Sequence, residues 1–216
     1  MESGEHTPAR PVRTPLKDLI QVPPEYWVKL SKKDLTTLCK ASLATPHAPE
    51  GLLVRFLQKD VLVDIQKGCI CRRGHDGWET IDHALLELAI LVYLLNVTPA
   101  ALAQEIISVS DLKDAQFFQG PHALKTAPVL KRFGNDLTGF KAAAEKLDGQ
   151  SLDLADAAYR FLPLPKVPLF YLLWEGDEEF KPHLSVLFDR SIELHLSADA
   201  IWGLVILVSD ALLADD

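Results

Sequence analysis

The sequence predicts an α+β fold in a single domain, and three observations carry that expectation. Residues 52–72 hold three short runs of apolar and alternating residues broken by tight polar turns, which reads as an antiparallel meander. Residues 167–174 and 184–188 are two further apolar runs, joined by an acidic connection, and read as buried strands. Between these regions lie segments of helical length, foremost residues 81–95, which are apolar nearly all round. Strands near both ends with helices between them predict a mixed or antiparallel sheet from the meander and the C-terminal strands. The central apolar helix is expected to pack on that sheet, because a ribbon of two or three strands is marginal alone.

Taken in order, residues 1–24 carry Pro8, Pro11, Pro15, Pro23 and Pro24. Prolines deny the segment regular hydrogen bonding, so an extended arm is expected there and the domain over residues 25–216. Ser31 reads as the cap of a helix, with Asp34 at the reciprocal position and Leu35, Leu38 and Ala41 at helical spacing. In the meander, residues 58–60 and 66–68 are the expected turns, with Gly68 suited to a left-handed position. Residues 72–78 read as a polar loop, and Thr80 as the cap of the 81–95 helix. Thr98-Pro99 has the pattern of a second helix start.

Two helices are expected over residues 123–133 and 137–147, split at Gly134-Asn135 and stopped by Gly149. Residues 156–162 read as a strand. Residues 192–196 alternate and read as another. Ser197 is positioned to cap a last helix reaching about Leu213.

Composition narrows function more than it names it. The 216 residues include 22 basic and 30 acidic side chains, a formal charge of -8. An acidic chain has no general attraction for nucleic acid or anionic lipid, and neither partner is expected. No apolar run reaches the roughly 20 residues of a membrane span. The three cysteines, an odd and low number, point to a reducing compartment, and the polar start lacks a signal peptide's apolar core. A cytoplasmic protein is expected.

Cys69, Cys71, His75 and His83 are candidate metal ligands by residue type. Their spacing lacks the paired Cys-x-x-Cys or His-x-x-x-His units of zinc sites. Residues two apart on a strand share a face, so the thiols are expected to pack as small apolar groups, with no metal and no cofactor bound. His83 and Glu87, four apart, fit a base with its orienting carboxylate, but a helix-supporting surface pair is the preferred reading. Gly-rich phosphate loops and nucleophile elbows are absent.

The acidic connection is the main candidate surface. From residue 174 to 199 there are seven acids against two bases. Trp174, Glu175, Gly176, Asp177, Glu178, Glu179 and Asp189 make up the candidate binding surface, with Phe180 and Phe188 expected as core anchors. Asp177 and Asp189 would raise one another's pKa or hold a divalent cation if they met. Antiparallel pairing of the two strands would instead put them at opposite ends, with Asp177 as a turn-former and Asp189 as a separate strand-end hydrogen bonder, and this is the expected outcome.

Residues 162–168 (Leu-Pro-Leu-Pro-Lys-Val-Pro), 173–180 (Leu-Trp-Glu-Gly-Asp-Glu-Glu-Phe), 186–189 (Val-Leu-Phe-Asp) and His195-Leu196 resemble the DUF3786 family of uncharacterised proteins from anaerobic bacteria and archaea. The likeness runs from about residue 30 to the end and is most specific at the Gly-Asp-Glu-Glu-Phe turn. It implies an accessory role in the redox or corrinoid metabolism of an anaerobe, since some members look like fusions to iron–sulfur modules. This chain lacks the cysteine run of such a module, so the cluster would sit on a partner. A binding or accessory module acting with an iron–sulfur or corrinoid protein is the expected function. A carboxylate-based enzyme acting on a small molecule, with or without a divalent metal, is the alternative.

Overall fold

The computed structural model describes residues 22–49 and 51–214. The arm expected over residues 1–24 lies almost wholly outside the described residues. Its last proline instead opens a helix, α1 (Pro24–Ser31), in which proline occupies the first turn where no N–H is needed. Ser31 therefore ends a helix instead of capping one, and its hydroxyl donates to the Val28 carbonyl at 3.0 Å. The cap of α2 (Leu35–Ser42) is Asp34, which accepts from the Thr37 amide at 2.8 Å.

The strands assort into two antiparallel sheets. The first is the meander with two short edges: β1 (Thr45–His47), β2 (Gly51–Phe56), β3 (Lys59–Asp64), β4 (Cys69–Arg73) and β5 (Trp78–Thr80), paired in sequence order. Gly68 takes φ +66° in the turn after β3, the left-handed position that glycine adopts without steric cost. Of the residues read as a polar loop, the first two extend β4 and Trp78 opens β5. One face of this sheet sends Leu52, Val54, Val61, Val63 and Ile70 into the main core. Its other face carries Leu62, Asp64, Cys69 and Cys71. The sheet curls about that face, and His47 of one edge strand meets Trp78 of the other, ring centroids 5.6 Å apart.

The second sheet runs β6 (Ile106–Ile107), β10 (His183–Asp189), β9 (Val167–Trp174), β8 (Ala157–Leu164), β7 (Gln150–Leu152). Its centre, β9, is buried along nearly its whole length, as its unbroken apolar run requires. In sequence α3 (Ala84–Asn96) lies between the sheets, α4 (Ala127–Phe133) and α5 (Leu137–Lys146) fall between β6 and β7, and α6 (Ala198–Leu213) closes the described chain.

One core joins all of this. Val63 and Ile70 of the first sheet, Leu169, Tyr171 and Phe188 of the second, and the apolar helices α3 and α6 belong to a single buried cluster. The fold is thus α+β around one core, with two sheets where one was expected. The Leu57 amide bridges them by donating to the Pro163 carbonyl at 3.1 Å. Helices α3 and α6 pack so closely that a Cβ on Gly203 would stand 2.9 Å from the Leu85 side chain. Tyr171 of β9 donates its hydroxyl to the Val205 carbonyl of α6 at 3.1 Å.

Several local signals yield to this packing. Helix α3 is capped by His83, whose Nδ1 accepts from the Leu86 amide at 3.4 Å, and not by Thr80, which belongs to β5. Thr98-Pro99 starts no helix: the Ala103 and Gln104 amides that one would use internally donate to Asp189, and the Thr98 carbonyl accepts from the Lys166 ammonium at 2.6 Å. Residues 190–194 form a 3-10 turn and not a strand. Ser191 and Ile192 are its buried positions, and with His195 and Leu196 just beyond it they recur at a spacing of three and four that belongs to helical structure.

Among the described residues no helix is long and apolar enough to cross a membrane.

Candidate functional site

The acidic connection forms the tip of the β9–β10 hairpin. The strands pair antiparallel from Trp174 opposite His183 to Leu169 opposite Phe188. Asp177 follows the Trp174 end and Asp189 follows the Phe188 end, so about 20 Å of strand separates them. They form no shared carboxylate site, and a metal or acid–base centre built on that pair is not present.

Asp177 organises the tip. Its Oδ1 accepts from the Glu179 amide at 2.8 Å and the Phe180 amide at 2.6 Å, and its own amide donates to the Phe180 carbonyl at 2.9 Å. This is an Asx turn closed by a backbone bond. Gly176 is needed for close approach: a Cβ there would lie 2.5 Å from Pro182 Cδ. The Glu175 amide is tied to Asp156 at 2.9 Å, and Trp174 stacks on His183 with centroids 5.5 Å apart. Held in this frame, Glu175, Asp177, Glu178 and Glu179 point into solvent. Phe180 does too, at 69 % exposure, contrary to its expected place in the core. The expectation failed because the turn reverses before Phe180 and returns the chain at Pro182. Phe188 is fully buried as expected.

Asp189 leaves the candidate surface altogether. It is 3 % exposed and accepts from the amides of Ala103 (2.9 Å), Gln104 (2.8 Å) and Ser191 (2.9 Å), and from the Ser191 hydroxyl. Burial opposes its ionisation. The hydrogen bonds from Ser191, Ala103 and Gln104 outweigh that, and the carboxyl is held below its ordinary range. Beside this knot, Arg190 pairs with Glu105 through two hydrogen bonds, the longer at 2.8 Å.

Sequence reasoning missed a second buried polar group near the knot. Lys166 sits in the β8–β9 turn at 9 % exposure, and burial lowers its pKa. His195 is fully buried and neither ring nitrogen has a hydrogen-bond partner; Thr98 Oγ1 is likewise unpartnered. Burial first, and then the Lys166 ammonium, push the imidazole pKa down, against the pull of the Asp189 carboxylate. A lysine between two prolines in a short apolar turn was the only signal for this group.

The candidate metal ligands do not converge. Cys69 and Cys71 bring their sulfurs to 3.8 Å, with Cys71 buried and its thiol pushed up by burial and by Cys69. His75 is exposed and paired with Asp76 at 2.7 Å, and His83 is occupied as a cap. Glu87 turns away from His83 to accept the Trp27 indole N–H at 2.8 Å, so that pair makes no base and orienter. No group of three or more His, Cys, Asp or Glu is placed to hold a metal among the described residues. A cleft of about 640 Å³ between the β2–β3 turn, α4, α5 and the end of α6 shares no residue with the tip.

The model of the family described as a domain of unknown function, DUF3786, matches residues 34–211, and the chain belongs to that family. No curated protein and no solved structure matches it.

Proposed function

We propose that the protein is a binding or accessory module that recognises a protein partner through the β9–β10 tip. The single observation that carries this reading is Phe180: a large apolar ring, 69 % exposed, fixed in an ordered turn among four exposed carboxylates. An exposed aromatic on an ordered turn is a suitable anchor for an interface, since the backbone is already set and only the two torsions of the ring are fixed on binding. The carboxylates around it select a basic rim on the partner and speed encounter. An iron–sulfur or corrinoid protein of an anaerobe's cytoplasm is the partner class the family resemblance suggests, and this chain then contributes recognition and not chemistry.

Photo-crosslinking tests the reading. A crosslinking residue in place of Glu178, expressed in the native cell, is expected to capture a discrete basic protein. Capture should fall at least severalfold when Phe180→Ser is added, and fall with rising salt. Capture that ignores both changes, or no capture at all, rejects the tip as the recognition surface.

A further inference from the structure

Four separate segments converge on a small cavity of about 280 Å³ that the tip does not touch. Tyr26 comes from α1, Leu88 from α3, Phe117 and His122 from the 3-10 turns that precede α4, and Asp199 and Trp202 from the first turns of α6. The rings are set in two orientations. His122 stacks on Phe117, centroids 4.5 Å apart and planes at 16°. Trp202 stands across His122 at 83°, with centroids 5.7 Å apart. The Trp202 indole is further fixed by its N–H, which donates to the Ala123 carbonyl at 3.4 Å. Among the described residues no lysine or arginine lines the cavity, and Asp199 supplies a carboxylate, receiving the Ser197 hydroxyl.

Aromatic faces carry negative potential at their centres, and a carboxylate beside them adds a full charge. Such a combination favours a cation with little hydration to lose. A primary ammonium would have to surrender strong hydrogen bonds to water, and this lining offers few acceptors in return. A quaternary or fully methylated ammonium has no N–H to satisfy and presents methyl groups to the rings. The volume suits a small ligand of this kind and not a nucleotide. The Lys29 ammonium already engages the Tyr26 ring, 5.6 Å from its centroid, so Phe117, His122 and Trp202 carry the recognition.

We propose that this cavity is a binding site for a small quaternary ammonium compound, with Phe117, His122 and Trp202 as the aromatic walls and Asp199 as the counter-charge. The proposal does not depend on the tip being an interface, because none of its residues lies there.

The test is titration of the full chain with choline and tetramethylammonium, followed by broadening of the N-methyl proton signal. The uncharged isostere 3,3-dimethylbutan-1-ol serves as the control. Saturable binding of both cations is expected, with the isostere weaker by about tenfold. Asp199→Asn, whose amide oxygen still accepts from Ser197, should weaken choline by a similar factor, as should Phe117→Leu. Thermal unfolding confirms that each variant is folded. Equal binding of choline and the isostere, unchanged affinity in Asp199→Asn, or no saturable binding of either cation overturns the proposal.

Discussion

The two ends of the β9–β10 pair make the same residue type do opposite things. At one end Asp177 sits in water and accepts two amides from its own turn. At the other, Asp189 is buried and accepts amides from a segment some 85 residues away in sequence. The first arrangement orders a few exposed residues. The second closes the second sheet, because the Ala103 and Gln104 amides anchor the strand that leads into β6. Exposure decides the difference. A solvated carboxylate that leaves its turn is replaced by water, whereas a buried one that is removed strands several donors.

Breaking that comparison at its stronger end should have the largest effect. Asp189→Ala leaves three amides and the Ser191 hydroxyl without their acceptor in a partly buried site, and is expected to cost roughly 2–4 kcal/mol. Urea unfolding measures this, and Asp189→Asn, which keeps one acceptor, should recover part of the loss.

The buried imidazole sharpens the contrast through pH. The folded-state pKa of His195 lies below its unfolded value of about 6.5. The stability this contributes is therefore present above that value and is lost as pH falls through the lower, folded pKa. Each pH unit over that window removes at most about 1.4 kcal/mol. Unfolding midpoints should decline between pH 7 and 5 in the native chain, and decline less in His195→Gln. Equal slopes would mean that the ring's missing partners are supplied in a way that tolerates its charge. The Asp189 carboxyl, held low, sets a second loss only below about pH 4.

The smallest expected effect is at the tip. In Asp177→Asn the amide oxygen accepts the same Glu179 and Phe180 amides, so stability should change by less than about 0.5 kcal/mol. Gly176→Ala is the more disruptive tip change, because the added methyl meets Pro182.

What the sequence made legible follows from how local each cause is. The central strands of the meander, helices α3 and α6, and the strands β9 and β10 were readable because alternation, unbroken apolar length and the Gly68 turn act within a few residues. The Asx turn at Asp177 and its separation from Asp189 were readable for the same reason. Other features were not. Helix α1 hid among prolines whose crowding argued for an extended arm, although proline at a first turn also starts helices. The Thr98-Pro99 start was overridden by Asp189, 85 and 86 residues away, which takes the Gln104 and Ala103 amides. The 190–194 turn carried alternation and helical spacing at once, and Asp189's bonds to Ser191 settle it as a 3-10 turn. Phe180 was assigned to the core on residue type alone, and only the path of the turn places it in water. The candidate site was half legible for that reason: its acids were named correctly as a turn, but its apolar anchor was not recognised, and Asp189 was counted as surface.

The most direct measurement compares the native chain with one variant in which Asp177→Asn, Glu178→Gln, Glu179→Gln and Phe180→Ser remove the tip's charge and its exposed ring together. Urea unfolding and partner capture are read on the same preparations. If the tip serves recognition and the Asp189 end serves folding, stability should stay within about 1 kcal/mol of the native value while capture is lost. A loss of several kcal/mol, or capture that persists undiminished, would contradict that division.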